Sequence, residues 1–338
     1  MESLKNRLRG WAARHHAQIL TYHGVLPADP LVQMSQHMSA ASFAWQMAEL
    51  AANFRCVPLS TLVADLRKGA IPPYTVSITF DDGYANNLSV ALPILKKYKL
   101  PATVFLTAGY IGQDRLLWPE RLGAMFAATR ERSLTFNGQT LDLGTSHARS
   151  ASYAAITRAF KGRSAEQIEH AMQAIARSAD VPEEAIVSTR LYRDMRFMTW
   201  DDVRQLLRSG LIEIGSHTLS HRRLTTLSPD QARTEIRDSK QRIERELGEA
   251  GPVRWFAYPF GLRGGDFTDV HRQTAIEAGY EAILAASGGA LTSQSDPHEL
   301  PRVYMGSDMD RAAFRYHVHG GAALGDKPVS EWWGSAFR

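Results

Sequence analysis

Two segments far apart in the chain, Thr79-Phe80-Asp81-Asp82-Gly83-Tyr84 and Ser216-His217-Thr218-Leu219-Ser220-His221, supply two carboxylates and two imidazoles. One carboxylate with two imidazoles is a ligand set for a hydrolytic zinc ion that leaves a coordination position open for water. Side chains of adjacent residues on an extended backbone diverge, so the two aspartates do not readily share one ion. One is then a ligand and the other a base. No glutamate follows His217, which separates the segment from the His-Glu-x-x-His helix of zincin proteases. The base must come from elsewhere, and Asp81 is available. Such a site performs metal-assisted cleavage of an amide or ester. Each segment alone also fits a plainer role: the aspartates cap a helix beginning near Asn86, and the histidines are solvated loop residues.

The elements that must position these residues are legible on either side of them. Residues 76–80 form an extended apolar run, a buried strand that ends at the aspartates and turns at Gly83. Residues 211–214 form a second strand. The spacing of four that follows lets one helical turn or a tight loop aim both rings at one ion. Active sites of α/β proteins sit at such strand ends. Further strands are expected at 18–22, 102–106, 253–257 and 280–284. Helices are expected at 43–53, from an N-cap at Ser60 to about Lys68, at 87–98, from N-cap Ser228 with capping-box Gln231 to Leu247, and at 268–278. This alternation predicts an α/β fold, a distorted (β/α) barrel of about seven parallel strands in a single domain over 1–338. Residues 113–196 interrupt it and read as a largely helical insertion beside the active-site mouth. Helices are expected at 118–130, 150–160 and 164–177, with a hairpin at 133–143 around Asn137-Gly138.

With Phe256-Ala257-Tyr258-Pro259-Phe260-Gly261 and Pro101-Ala102-Thr103-Val104-Phe105 added, the ordered motifs resemble those of the polysaccharide deacetylases. These are carbohydrate esterases, built on the NodB homology domain, that remove acetyl groups from sugars. The resemblance implies that Asp81 is the catalytic base, that Asp82, His217 and His221 hold the metal, and that the Phe260 backbone N–H helps form an oxyanion hole. Leu20-Thr21-Tyr22-His23-Gly24-Val25 resembles a subgroup with rearranged barrel strands, in which such a histidine is the general acid. His23 is the candidate donor. Ala257 stands where the family often has an arginine that pairs with the base, and Arg302, in Leu300-Pro301-Arg302-Val303 on a late strand, is the candidate substitute by similarity to that subgroup. Its plainer role is a surface arginine.

Tyr84, Tyr258 and Trp118 are candidate sugar-binding residues, because sugars present apolar faces to aromatic rings; core packing is the plainer reading. Trp332 and Trp333 line a glycan groove or cover the barrel floor. The expected cofactor is a divalent metal, zinc first, with cobalt or nickel compatible with the same donors. The expected reaction is hydrolysis of an acetamide on a polysaccharide or lipid-linked glycan during cell-surface polysaccharide synthesis. The alternatives are a catalytically silent carbohydrate-binding protein on the same scaffold and a deformylase or amidase with another substrate.

Composition agrees with an enzyme of this size. The 338 residues are 44% hydrophobic, and 39 basic against 35 acidic residues give a net charge of +4. That excess is too small and dispersed to point to nucleic acid. The single cysteine, Cys56, excludes an intrachain disulfide and cysteine-based zinc sites. No secretory signal and no membrane-spanning run is visible, so a cytoplasmic enzyme is expected. Leu4, Leu8 and Trp11 recur at helical spacing among Lys5, Arg7, Arg9 and Arg14. Residues 1–14 therefore either rest on the inner face of a membrane or pack on the barrel.

Overall fold

A computed structural model of the chain describes residues 17–248 and 252–319. The basic turn expected over 1–14 and the Trp332-Trp333 pair lie outside the described residues. The elements begin with β1 (Gln18–Tyr22), β2 (Val25–Leu26), β3 (Met38–Ser39), α1 (Ala40–Asn53), β4 (Arg55–Cys56), α2 (Leu59–Arg67) and β5 (Thr75–Phe80). A π-helical turn, Asn87–Ala91, runs into α3 (Leu92–Tyr98), and β6 (Ala102–Leu106) follows. Next come α4 (Trp118–Ala128), β7 (Ser133–Phe136), β8 (Gln139–Asp142), α5 (Ser146–Ala159), α6 (Ala165–Ser178), α7 (Glu183–Val187) and α8 (Arg190–Asp194). The barrel resumes with α9 (Trp200–Arg208), β9 (Ile212–Ser216), α10 (Pro229–Leu247), β10 (Trp255–Ala257), α11 (Asp269–Glu277), β11 (Ala282–Ala285), β12 (Leu300–Pro301), β13 (Val303–Tyr304) and α12 (Arg311–Val318). No helix among the described residues is long and apolar enough to cross a membrane.

The main sheet runs β12-β11-β10-β9-β6-β5-β1-β13, with β4 added against β5. All its pairings are parallel, for example Thr21↔Thr79 between β1 and β5 and Leu106↔Ser216 between β6 and β9. β1, β5 and β6 are buried at every position, as parallel strands covered on both faces must be. The sheet closes on itself at its last segment. Leu300 pairs with Leu284 of β11, and Val303 pairs with Leu20 of β1, with Arg302 between them. The path therefore holds eight strands rather than the expected seven, because the closing strand is split at Arg302 into two short pieces.

Alternation along each strand sorts the core. Leu20, Tyr22, Ile78, Phe80, Val104 and Leu106 join a cluster that includes residues of α1, α3 and the helices over 118–194. Ile19, Phe105, Ala257 and Leu284 face a second cluster, with Leu59, Leu62, Val63 and Leu66 of α2. The same two-residue register carries Ile19 to His23, Thr79 to Asp81 and Gly215 to His217. One file of positions thus begins in the core and ends at the strand tips.

Most helix ends follow their signals. Ser228 and Gln231 make the expected reciprocal capping box on α10, and Ser164 and Gln167 make one on α6. Asn137 and Gly138 have φ of 49° and 75°, the backbone a tight two-residue hairpin turn needs. Ser60 is not the cap expected of it. The helix already starts at Leu59 after Pro58, and the Ser60 N–H donates to Glu213 Oε2 at 3.2 Å.

Candidate active site

Asp81 and Asp82 leave β5 together, and neither caps a helix. The Asp81 N–H donates to the Tyr22 carbonyl at 2.9 Å, after which Asp82 and Gly83 turn the chain at φ of 76° and 92°. That left-handed step cancels the divergence expected of adjacent side chains. Asp81 Oδ2 and Asp82 Oδ1 stand 3.8 and 3.7 Å from His217 Nε2. His221 Nε2 is 3.3 Å from Asp82 Oδ1. One ligand atom each from Asp82, His217 and His221 lies within 4.8 Å of the others.

The histidines are carried by a tight loop rather than a helical turn. Thr218 and His221 both have positive φ, and the loop's Leu219 and Ser220 N–H groups donate to Glu235 Oε2 of α10, each at 2.9 Å. The Ser220 hydroxyl bonds the other oxygen of Glu235. His217 Nδ1 lies 2.7 Å from the Ala257 carbonyl, which accepts its proton and leaves Nε2 as the free ligand nitrogen. Among the described residues eight non-glycine positions have positive φ, and four of them, Asp82, Thr218, His221 and Phe260, surround this centre. Backbone strain of about 1–3 kcal/mol per residue concentrates at sites where geometry matters more than stability.

The electrostatics fit a bound cation. Burial pushes Asp82 up to about 7, and its Oδ1 has no hydrogen-bond partner among the described residues. Burial likewise lowers His217 to about 3 and His221 to about 4, so both rings are neutral and present lone pairs at physiological pH. Two neutral imidazoles and an uncompensated buried carboxylate are the donor set that a divalent metal satisfies.

Asp81 has a different partner. Arg302 reaches it bidentately, Nη1 to Oδ1 at 2.7 Å and Nη2 to Oδ2 at 2.8 Å, and both residues are buried. Burial would raise the carboxyl, but the Arg302 charge and hydrogen bonds, with His217 and His23, hold it well below the usual range. Arg302 is therefore an interior residue and not a surface one.

His23 follows β1 at the same barrel end. Its carbonyl accepts from Asn87 Nδ2 at 2.9 Å, and its ring stands edge-on to Tyr304, the centroids 6.0 Å apart. Burial lowers its pKa, while Asp82 and Asp81 oppose that shift. Phe260, with φ of 60°, places its ring 5.0 Å from that of His221. Its N–H makes no hydrogen bond among the described residues.

Two of the three expected sugar contacts, Tyr84 and Tyr258, are buried. Tyr84 is fully buried, packed edge-on against His37 and tilted against Phe197. Tyr258 is stacked on Phe267 at 3.9 Å. Trp118 is half-buried, packing edge-on against Phe160 beside the core of the 118–194 segment. The faces of the two tyrosine rings are occupied by protein. Sequence reasoning also passed over Glu235 and the Asn86-Asn87 pair. Glu235 shows no motif, and the pair read only as the start of a helix.

A profile of the polysaccharide deacetylases matches residues 68–283, which include both aspartates, both histidines and Phe260. The chain belongs to the polysaccharide deacetylase family. Among relatives of this deacetylase-family chain, YxkH of Bacillus subtilis strain 168, provisionally named a polysaccharide deacetylase, is 21% identical over 243 residues. That match covers 72% of this chain and 56% of YxkH, so the chain spans about half the relative's length. The poly-beta-1,6-N-acetyl-D-glucosamine N-deacetylase of Staphylococcus aureus strain MSSA476 is 46% identical over 48 residues, 14% of this chain and 17% of that protein. Among solved structures, the Streptococcus pyogenes deacetylase PplD in complex with acetate superposes with a TM-score of 0.59 at 16% identity. It covers 90% of this chain and 98% of PplD, a likeness of fold.

Proposed function

We propose that the chain is a metal-dependent deacetylase that hydrolyses the acetamide of N-acetylated sugars in a polysaccharide or lipid-linked glycan, during synthesis of a cell-surface polysaccharide. The observation that carries this reading is the unequal pair of aspartates, one clasped by Arg302 and the other grouped with two imidazoles. A silent sugar-binding protein has no use for the first. The name of the Staphylococcus aureus relative supports the class of substrate.

Asp82, His217 and His221 would hold the ion, zinc first and cobalt or nickel by the same donors. Once bound, a divalent cation supplies Lewis acidity that polarises the acyl carbonyl and acidifies the attacking water. Asp81, ionised across the working range, accepts that water's proton at a carboxylate oxygen. The unbonded N–H of Phe260 is a donor for the developing oxyanion, and such donors are worth about 3 kcal/mol. His23 delivers a proton to the leaving nitrogen, a role that suits imidazole because its ordinary pKa lies near neutrality.

Acetate release from chitooligosaccharides and from poly-N-acetylglucosamine tests the proposal. Activity is expected to vanish on chelation, return with zinc, and fall about 10²–10⁴-fold in Asp81→Asn with metal content unchanged. A fully active Asp81→Asn variant, or activity indifferent to chelation, would overturn it.

A further inference from the structure

Behind Asp82 lies a buried polar chain that none of the steps above uses. Glu120, in the first turn of α4, and His37, between β2 and β3, are each 1% exposed. His37 Nε2 is 2.8 Å from Glu120 Oε1. The other ring nitrogen, Nδ1, accepts the N–H of Gly24 at 3.1 Å. A backbone N–H can only donate, so Nδ1 carries no proton and the ring's single proton sits on Nε2, where Glu120 accepts it. Geometry alone fixes this tautomer.

Gly24 directly follows His23. A Cβ at Gly24 would lie 2.7 Å from His37 Nδ1, so only glycine lets the ring approach this close. Asn87 grips the His23 carbonyl, and Asn86 Oδ1 accepts the Val25 N–H at 3.0 Å. Three side chains thus hold consecutive peptide groups around His23. The Tyr84 ring stands edge-on to His37 at 5.3 Å, and its phenol is raised by burial and then by the Asp82 and Glu120 carboxylates beside it. A buried carboxylate is costly, and an apolar pair of similar volume would serve packing at least as well.

We propose that Glu120 and His37 are positioning residues for the hydrolytic site. The carboxylate fixes the His37 tautomer, His37 holds the Gly24 N–H, and the His23 ring is thereby set at the strand tip. Glu120 belongs to α4, so the 118–194 segment is part of the catalytic apparatus and not a cover. The inference rests on His23 being the proton donor.

Glu120→Leu removes the acceptor at similar size, Glu120→Gln keeps an oxygen that accepts from Nε2–H, and His37→Phe removes the link. For Glu120→Leu, kcat for acetate release is expected to fall at least tenfold, with KM within twofold and bound zinc unchanged. Glu120→Gln should stay within about threefold of the parent, a rescue that a loss of packing would not show. A second readout needs no turnover. Labelling histidine carbonyls with ¹³C and glycine nitrogens with ¹⁵N selects two His–Gly peptides, His23-Gly24 and His319-Gly320, which a His319→Gln variant tells apart. The Gly24 amide resonance should move upfield in Glu120→Leu and in His37→Phe. An unmoved Gly24 resonance, an unchanged kcat, or a loss of kcat explained by lost zinc would overturn the inference. If the parent releases no acetate while Gly24 still responds, the assigned activity fails and the positioning link stands.

Discussion

Asp81 and Asp82 are chemically identical neighbours in one buried turn, yet their carboxyls are driven in opposite directions. The difference is Arg302, which touches one and not the other. Removing it should therefore act on the base specifically. With the guanidinium gone, burial is the dominant influence left on Asp81, and its pKa rises from well below the ordinary 3.8. A base is lost as pH falls through its folded pKa. In Arg302→Met the acidic limb of the kcat/KM profile should therefore move to higher pH, with about 3–5 kcal/mol of stability lost to the stranded buried charge. Arg302→Lys should recover part of the profile and none of the bidentate geometry. A pH–rate profile for each variant, beside its urea midpoint, checks both expectations. At this scale the ligand atoms were legible because each pair sits in one short segment. The pairing of residues 81 and 302 needed a resemblance to suggest it, and Glu120 with His37 was illegible because a lone carboxylate and a lone imidazole carry no spacing. Tyr84 and Tyr258 were misread for a related reason: nearness to a motif in sequence does not say which way a ring points.

Among the elements, the loop between the histidines depends on α10. Glu235 takes three donors from Leu219 and Ser220, so it sets the backbone from which His221 projects. Glu235→Ala should weaken zinc affinity about 10–100-fold, the usual effect of losing a group that orients ligands. Competition against a chelating indicator measures it, and affinity equal to the parent's would show that the loop holds itself. Strands and long helices were largely readable, since buried parallel strands are apolar runs and α10 announces its start with Ser228 and Gln231. α9 was overlooked although Thr199 and Asp202 form a capping box at its start. The choice between helical turn and loop for the histidine segment was not in its spacing. Positive φ at Thr218 and His221 decides it, and non-glycine residues give little sign of that conformation.

Across the whole molecule, the helices over 118–194 share one continuous apolar cluster with the outer face of the barrel. We expect insertion and barrel to unfold as one unit. Urea transitions followed by far-ultraviolet circular dichroism and by tryptophan fluorescence should coincide, whereas two separated transitions would make the insertion a domain of its own. The barrel itself could be foreseen from the alternation of strands and helices. A late strand around Arg302 could be foreseen too, but not its division into the two pieces that make the count eight, because two residues on either side of Arg302 are too short to leave a pattern. That split seam has a consequence for biogenesis. A ribosome delivers Arg302 only after the strands that precede it, so any shorter chain that buried Asp81 would do so with no guanidinium to offset the burial. Under the proposed function, the base is therefore complete only once the last stave of the barrel is in place.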